Sequence, residues 1–308
     1  YYNLLDCFGN VPISTDFTEK VLPTNSTRKE VFEFIEKELK EIMPLLPSGV
    51  TYGRFTQNVA NTLLARLYLN AEVYTGSPRW QDCLDACDKV QGYQLTPSYK
   101  ASFAIQNEKS PEIIFAIPYD HKQGTVGNYL ASMTYHYNQK QAFDPAGVYQ
   151  WCGNGICAQP GLYSSFDAQD VRRNSLLIGQ QYSAKDGSEV LMDNGEPLNY
   201  TEEIADFTNA VQNAGARLNK YEWSATDQWE RDNDWVLMRY AEILMMQAEC
   251  NFRLGYIPTA LTYINQIRKR AGLNDLTSLT LDDIDTEWKH EFVFEGLRRT
   301  TNIRFGTY

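Results

Sequence analysis

The stretch "TQNVANTLLARLYLNAEVYTGSPRWQDCLDACDKVQGY", Thr56 to Tyr93, decides the fold. Ala60, Leu63, Leu64, Leu67, Tyr68, Ala71 and Tyr74 recur at helical spacing behind Thr56, whose hydroxyl is placed to accept from the first free N–H groups. The spacing predicts a helix of about five turns. Gly76 suits its C-terminal end, Ser77 caps the next start, and Pro78 takes the first helical position. Trp80, Cys83, Leu84, Cys87 and Val90 then form a second stripe. Two stripes joined by so short a turn predict an antiparallel helix hairpin. Cys83 and Cys87 lie one turn apart, but a metal would need two further ligands at matching spacing. Sharing a stripe with Trp80 and Leu84, they read as small apolar seam residues.

The pattern returns in "WVLMRYAEILMMQAECNFRLGYIPTALTYINQIRKRAGL". Leu237, Ala241, Leu244, Met245, Ala248 and Phe252 make one helical face. Gly255 ends that helix, Pro258 opens the next, and Ala260, Leu261, Ile264, Ile267 and Ala271 face back. A helix pair of about 34 residues, with alanines at the close approach, has the grammar of a tetratricopeptide unit, which needs stacked neighbours to cover its remaining apolar faces. Flanking helices are available. "TRKEVFEFIEKELKEIMPLLP" opens with a capping box in Thr27 and Glu30, carries Val31, Ile35, Leu39 and Ile42, and stops at Pro44. "LDDIDTEWKHEFVFEGLRR" continues the pattern through Ile284, Trp288, Phe292 and Leu297.

The expected class is therefore mainly α: tetratricopeptide-like antiparallel helix pairs in a right-handed superhelical scaffold, with a large irregular lobe carrying few short strands. The first part of the scaffold spans 1–117, with its hairpin at about 56–91. The second spans 235–308, with its hairpin at about 235–271 and a terminal helix. Between them, 118–234 is rich in Gly, Asn, Gln, Asp and Tyr, and "IIFAI" is the last regular run before it, a short strand. A loop region of this length inside a compact chain points to function.

With 308 residues, 43% of them hydrophobic, the chain can bury one large core or two modest ones. Its 28 basic and 39 acidic residues give a formal charge of −11. That balance offers no cationic surface for nucleic acid or an anionic bilayer. No apolar run reaches the length of a membrane span, and "YYNLLDCFGN" has neither the positive start nor the apolar stretch of a secretion signal. Cys152 and Cys157 are either bridged, as an exported protein would permit, or two free thiols.

"YYNLLDCFGNVPI", "RKEVFEFIEKELKEIMPLLP", "ANTLLARLYLNAEVY", "KSPEIIFAIPY", "FDAQDVRRN", "DWVLMRYAEILMMQAEC", "ALTYINQIRKRAGL" and "HEFVFEGLRRTTNIRFG" resemble, in order, the blocks of the SusD-like (RagB/SusD) family of Bacteroidota. The resemblance spans nearly the whole chain. It implies a lipid-anchored protein on the extracellular face of the outer membrane. Such a protein's helices would pack on a SusC-like TonB-dependent transporter, and its lobe would help capture an oligosaccharide or other nutrient, without enzymatic turnover or a cofactor. The family carries a long N-terminal region, beginning at a lipidated cysteine, ahead of "FGNVPI", and this sequence is expected to lack it. Where the family often has Glu-Arg before its last block and Asp near "RFG", this chain has Glu287 followed by Trp288, and Asn302.

Among residues with possible chemistry, Glu291 and Glu295 share a spacing that one helical face would bring together, the arrangement a paired-carboxylate glycosidase uses. They stand among large apolar residues and before Arg298, Arg299 and Arg304, and are expected to be structural ion partners rather than catalysts. His121, His136 and His290 show no zinc spacing, and no phosphate loop follows a strand. "GVYQWCGNGIC" reads as turns. Calcium-type clusters such as "MDNG" fit no dedicated loop, and the metal assignment is empty.

The binding candidates lie in the lobe: Trp151, Tyr149, Tyr135, Tyr137, Tyr129 and Asn154, amid Asn128, Asn138, Gln139, Gln141, Asp144 and Gln150. A sugar presents a face of C–H groups and a rim of hydroxyls, for which a flat aromatic surface with amide and carboxylate partners is suited. Trp151, flanked by polar and glycine residues, is the leading candidate. The same aromatics could instead be the lobe's private core. Capture of a glycan for a transporter competes with a scaffold that binds protein partners and no sugar, and with a glycoside hydrolase.

Overall fold

The computed structural model describes residues 1–16, 18, 21–123, 127–145, 151–223 and 232–308. Helices α1 (Tyr2–Phe8), α2 (Arg28–Ile42), α3 (Gln57–Leu69), α4 (Ala71–Thr75) and α5 (Trp80–Cys87) build the first half of a helical scaffold. Local chemistry sets their ends. Thr27 and Glu30 form a reciprocal capping box on α2, and the Thr56 hydroxyl accepts from the Val59 N–H at 3.4 Å. The predicted five-turn helix is interrupted at Asn70, where the backbone leaves helical geometry and the side-chain amide joins the backbone N–H in donating to Arg66 O. Gly76 closes α4 in the left-handed conformation (φ 78°). The next helix starts later than the Ser77 and Pro78 signals predict, with Arg79 as its N-cap.

Strand β1 (Ile113–Ile117) leads into the lobe. There a short helix α6 (Lys140–Phe143) and the two-residue strands β2 (Leu176–Leu177), β3 (Gly179–Gln180), β4 (Asn199–Tyr200) and β5 (Arg217–Leu218) are the regular pieces, pairing as β2 with β5 and β3 with β4. Strand β6 (Trp235–Arg239) brings the chain back, antiparallel to β1, with Ile113 opposite Arg239 and Ile117 opposite Trp235. This pairing closes the neck of the lobe. It also corrects the placement of Leu237, which lies on β6 and not on a helix. The helix begins only at Tyr240, because β6 spends Trp235–Arg239 on the ladder with β1.

Helices α7 (Tyr240–Arg253), α8 (Ile257–Arg270), α9 (Leu281–Glu291) and α10 (Arg298–Phe305) complete the scaffold. α3 packs on α5, α5 on α7 and α7 on α8, so the two hairpins stack through α5 and α7. Ala60, Ala65, Ala241, Ala248 and Ala260 are fully buried in the seams beside Leu67, Met245 and Ile264. Cys83, Cys87 and Cys250 sit in the same seam, and burial pushes the thiols up, that of Cys83 well above its ordinary range. They pack as small apolar groups. Among the described residues no helix is long and apolar enough to cross a membrane.

The lobe meets the scaffold across a buried layer of charge. The chain turns sharply after α9, with Phe294 at φ 64° and Gly296 at φ 77°, so Glu291 and Glu295 do not share a helical face as their spacing predicts. Both nevertheless converge on Arg239. Glu291 accepts from Arg239 at 2.6 Å, from Arg172 at 3.0 Å and from Arg270. Glu295 takes Arg239 in a fork, 2.7 Å on each oxygen, and the Lys220 ammonium at 2.5 Å. Glu112 accepts from Arg239 at 2.9 Å and Arg270 at 2.8 Å. Arg172, itself from the lobe, grips Asp170 and reaches Glu287. The partners expected for these acids from the neighbouring sequence go elsewhere: Arg298 to Asp285, Arg299 to Asp6, and Arg304 to Glu249, which also takes the Trp288 indole N–H.

Burial alone would raise the Glu291 carboxyl, but Arg270, Arg239 and Arg172 outweigh it and hold it well below the usual carboxylate range. Burial, against the attraction of Glu295, pulls Lys220 down to about 8. With its oxygens committed to three arginines, Glu291 joins lobe to scaffold.

Candidate functional site

Trp151 is 44% exposed, and its support is visible in the backbone beneath it. The segment after it is stitched to the turn 129–133: the N–H groups of Gly153 and Gly155 donate to Ser132 O (3.1 Å) and Met133 O (2.8 Å). A Cβ placed on Gly153 would meet the Trp151 ring at 2.6 Å and the Met133 sulfur at 2.9 Å, and one on Gly155 would meet the Met133 methyl at 2.7 Å. These two glycines therefore serve close approach, letting the indole lie over the chain with Met133 alongside, rather than the turn geometry their sequence context suggests. The six-membered edge of the indole lies close to Gly153, and nearly half of the side chain stays accessible. Tyr129, in the adjoining turn, is 50% exposed.

Tyr137 is exposed to a similar extent and lies against the His136 ring at 5.3 Å. It stands near a shallow cavity of about 610 Å³ walled by Asp193, Asn194, Glu196, Val211 and Gln212. Asn138 ties this wall to the tyrosine's own segment, donating to Leu191 O (2.8 Å) and to the Asp193 carboxylate (3.1 Å). Asn154 serves the framework. At φ 48° its amide donates to Gln212 O and its carbonyl accepts from Arg217, both near 3 Å.

Tyr135 is a correction. It is fully buried, its hydroxyl donates to Asn219 Oδ1 at 2.8 Å, and its ring packs edge-on against Phe143 and Trp223, so it offers no surface to a ligand. Of the expected polar partners, Asn128, Gln139 and Asp144 are also buried. Tyr149 and Gln150 lie outside the described residues. The structure thus brings Trp151 and Tyr129 onto adjoining segments, commits Asn154 to the framework, places Tyr137 beside His136, and turns several amides inward. Sequence reasoning missed Met133, whose apolar character gives no hint that it supports an indole, and the acid- and amide-rich wall at 192–213.

The family model described as the SusD family matches residues 111–308, and the one described as "Starch-binding associating with outer membrane" matches residues 1–69. The starch-binding protein SusD of Bacteroides thetaiotaomicron is 26% identical over 364 aligned positions that take in 100% of this chain and 62% of that protein. Among solved structures, surface glycan-binding protein A from Bacteroides uniformis superposes with a TM-score of 0.72 at 25% identity, covering 97% of this chain and 62% of that one. The corresponding protein of Bacteroides thetaiotaomicron in complex with laminarihexaose gives 0.73 at 23% identity, with 100% and 67% coverage. This chain therefore spans about three fifths of the length of the first two of these relatives. A family match over the lobe and the whole second half of the scaffold, on a mainly α fold of stacked hairpins, makes this chain a member of the SusD family.

Proposed function

We propose that this chain captures a glycan at the extracellular face of the outer membrane and passes it to a TonB-dependent transporter, with no covalent chemistry. The observation that carries this reading is the Trp151 platform: a large aromatic ring seated against Gly153, with Met133 at the same glycine, and still 44% exposed, with exposed Tyr129 in the adjoining turn. A ring fixed in place before the ligand arrives loses little side-chain freedom on binding, and its face suits the C–H surface of a sugar. The printed names of the relatives, one starch-binding and others surface glycan-binding, support the same ligand class. The buried charge layer supports binding without turnover, since Glu291, half of the carboxylate pair suggested by the sequence, is locked by arginines.

Affinity gels cast with amylopectin and with laminarin, followed by calorimetry on maltohexaose and laminarihexaose, test this. Gly153→Ala is the sharper variant, because the added methyl displaces the indole while touching only flexible side-chain ends. Retardation by at least one glucan, weakened about tenfold in Gly153→Ala at unchanged stability, is the expected outcome. Reducing ends released on prolonged incubation, and lost in Glu291→Gln, would replace capture by hydrolysis.

A second reading has its own observation. The scaffold carries an open groove of about 670 Å³ between the end of α2, α3 and α5, lined by Lys40, Asn58, Asn61, Asp82 and Lys89. A protein partner could occupy it whether or not the lobe meets sugar.

A further inference from the structure

Tyr135 joins the Trp151 platform to a second aromatic surface made of other residues. Its carbonyl accepts from the Asn154 N–H at 2.8 Å, while its ring packs against Phe143 and Trp223 at 5.1 and 5.7 Å. Phe143 and Trp223 are themselves in contact (4.8 Å, 38°), and both are half-buried. They border an open cavity of about 500 Å³, inside the size range of small-ligand pockets. Among the described residues its lining also takes in Ala101 and Ala104, whose side chains end at Cβ.

The walls are built to stay in place. Asn219 N–H donates to Ser175 O at 2.6 Å and Glu222 N–H to Phe103 O at 2.9 Å, while the Glu222 carboxylate accepts from the Ile105 N–H at 3.0 Å. Between them Tyr221 is clamped, stacked on Trp235 at 5.2 Å with its hydroxyl accepting from Val236 N–H. The ledge from Asn219 to Trp223 is thus fixed at both ends and in the middle before anything binds.

Its polar rim is sparse and balanced. Asn219 spends its carbonyl oxygen on the Tyr135 hydroxyl, leaving its amide Nδ2 as a donor with no partner among the described residues. Glu222 keeps a second oxygen as acceptor, and Lys100 supplies the opposing charge. Lys220 contributes only its stem, since its ammonium turns away to Glu295 and to Val293 O. Among the described lining residues, an aromatic border with one amide donor, one carboxylate and one ammonium presents hydroxyl partners without net charge.

We propose that this cavity is a second carbohydrate subsite, which takes one neutral hexopyranose unit of a glycan against Trp223 and Phe143. The proposal deepens the glycan-capture reading and rests on it, but it shares no residue with the Trp151 platform. Two subsites on one rigid lobe would hold a chain with more avidity than either alone, which favours oligomers over single sugars.

The test is a ¹⁵N indole titration of the whole chain with maltohexaose, laminarihexaose and hexagalacturonate, each resonance assigned by a single Trp→Phe variant. A neutral hexasaccharide is expected to move the Trp223 resonance in the wild type and still to move it in Trp151→Ala. Trp223→Ala is expected to weaken that sugar about tenfold by calorimetry. The wild-type shift reads the site even if Trp223→Ala does not fold. Movement of Trp151 without Trp223 overturns the subsite and leaves the capture reading standing. Movement of Trp223 without Trp151 supports the subsite and removes the platform. No movement of either indole with either neutral sugar overturns both. A response of Trp223 to hexagalacturonate as strong as to the neutral sugars overturns the neutral-ring assignment.

Discussion

The helical scaffold and the lobe hold their shape by different means. In the scaffold, Leu67, Met245 and Ile264 are fully buried among alanines and thiols in one continuous apolar cluster, with polar pairs such as Arg66–Glu242 and Gln247–Asp88 set between the helices. Among the described residues the lobe has only small satellite clusters, such as Val190, Met192, Leu198 and Tyr200. It is stitched as well by polar side chains bonding distant backbone: Thr134 to Leu218 O, Asn138 to Leu191 O, Asn154 to Gln212 O. Where the two meet lies the buried layer of charge around Arg239, Glu291 and Glu295. The difference teaches that an irregular chain can be ordered without a large core if its long-range polar contacts are satisfied, and that its apolar rings are then free to face outward.

The joint is the first place to break that contrast. Arg239→Ala takes one cationic partner from each of Glu112, Glu291 and Glu295, all at most 7% exposed at the side chain, and should cost about 3 kcal/mol in urea unfolding. Limited proteolysis should then cut within 118–234 before the helices. If the variant loses less than about 1 kcal/mol, the joint is not what holds the lobe. In the scaffold, Leu67→Ala opens a cavity between α3 and its neighbours and should cost about 3 kcal/mol, with the helices and not the lobe losing protection from amide exchange.

A smaller effect sits at the same boundary. His290 of α9 stacks on Phe166 of the lobe at 4.0 Å, and burial, reinforced by Arg172 and Lys289, pulls its imidazole down to about 3 from an ordinary 6.5. Between those values the unfolded chain holds the proton and the folded one does not. Stability is therefore fully present above pH 6.5 and falls as the pH drops toward 3, by about 1.4 kcal/mol per pH unit at the steepest. In His290→Phe that dependence should flatten between pH 6.5 and 4.5, which denaturant melts across this range would show. Parallel curves for the two proteins would mean that His290 is not held neutral. Smallest of all, Trp151→Ala should change stability by less than about 0.5 kcal/mol, because the ring is a surface platform and not part of either core.

The two regions also differ in how legible they are. The helices could be read because each residue's surroundings recur every three or four positions, so Ala60, Leu67, Ala241 and Ile264 announce their burial locally. Even there, Asn70 broke a helix and Leu237 belonged to a strand, since a side-chain amide and a partner strand overrode the periodicity. In the lobe, Tyr129 and Tyr135 stand in similar company along the chain, yet one is half-exposed and the other fully buried. What separates them is Asn219 and Trp223, more than 80 positions away. Phe143 and Trp223 escaped notice for the same reason, as did Arg239 and Arg270 as the true partners of Glu291.

The most direct measurement is calorimetric titration of maltohexaose and laminarihexaose into the wild type, Trp151→Ala and the scaffold-groove variant Lys89→Glu, with unfolding midpoints taken in parallel. Binding by the wild type, weakened about tenfold or more in Trp151→Ala at an unchanged midpoint and untouched in Lys89→Glu, is the predicted result. Sugar binding that survives Trp151→Ala intact, or that disappears with Lys89→Glu, would contradict a rigid helical base presenting its ligand surface on the lobe.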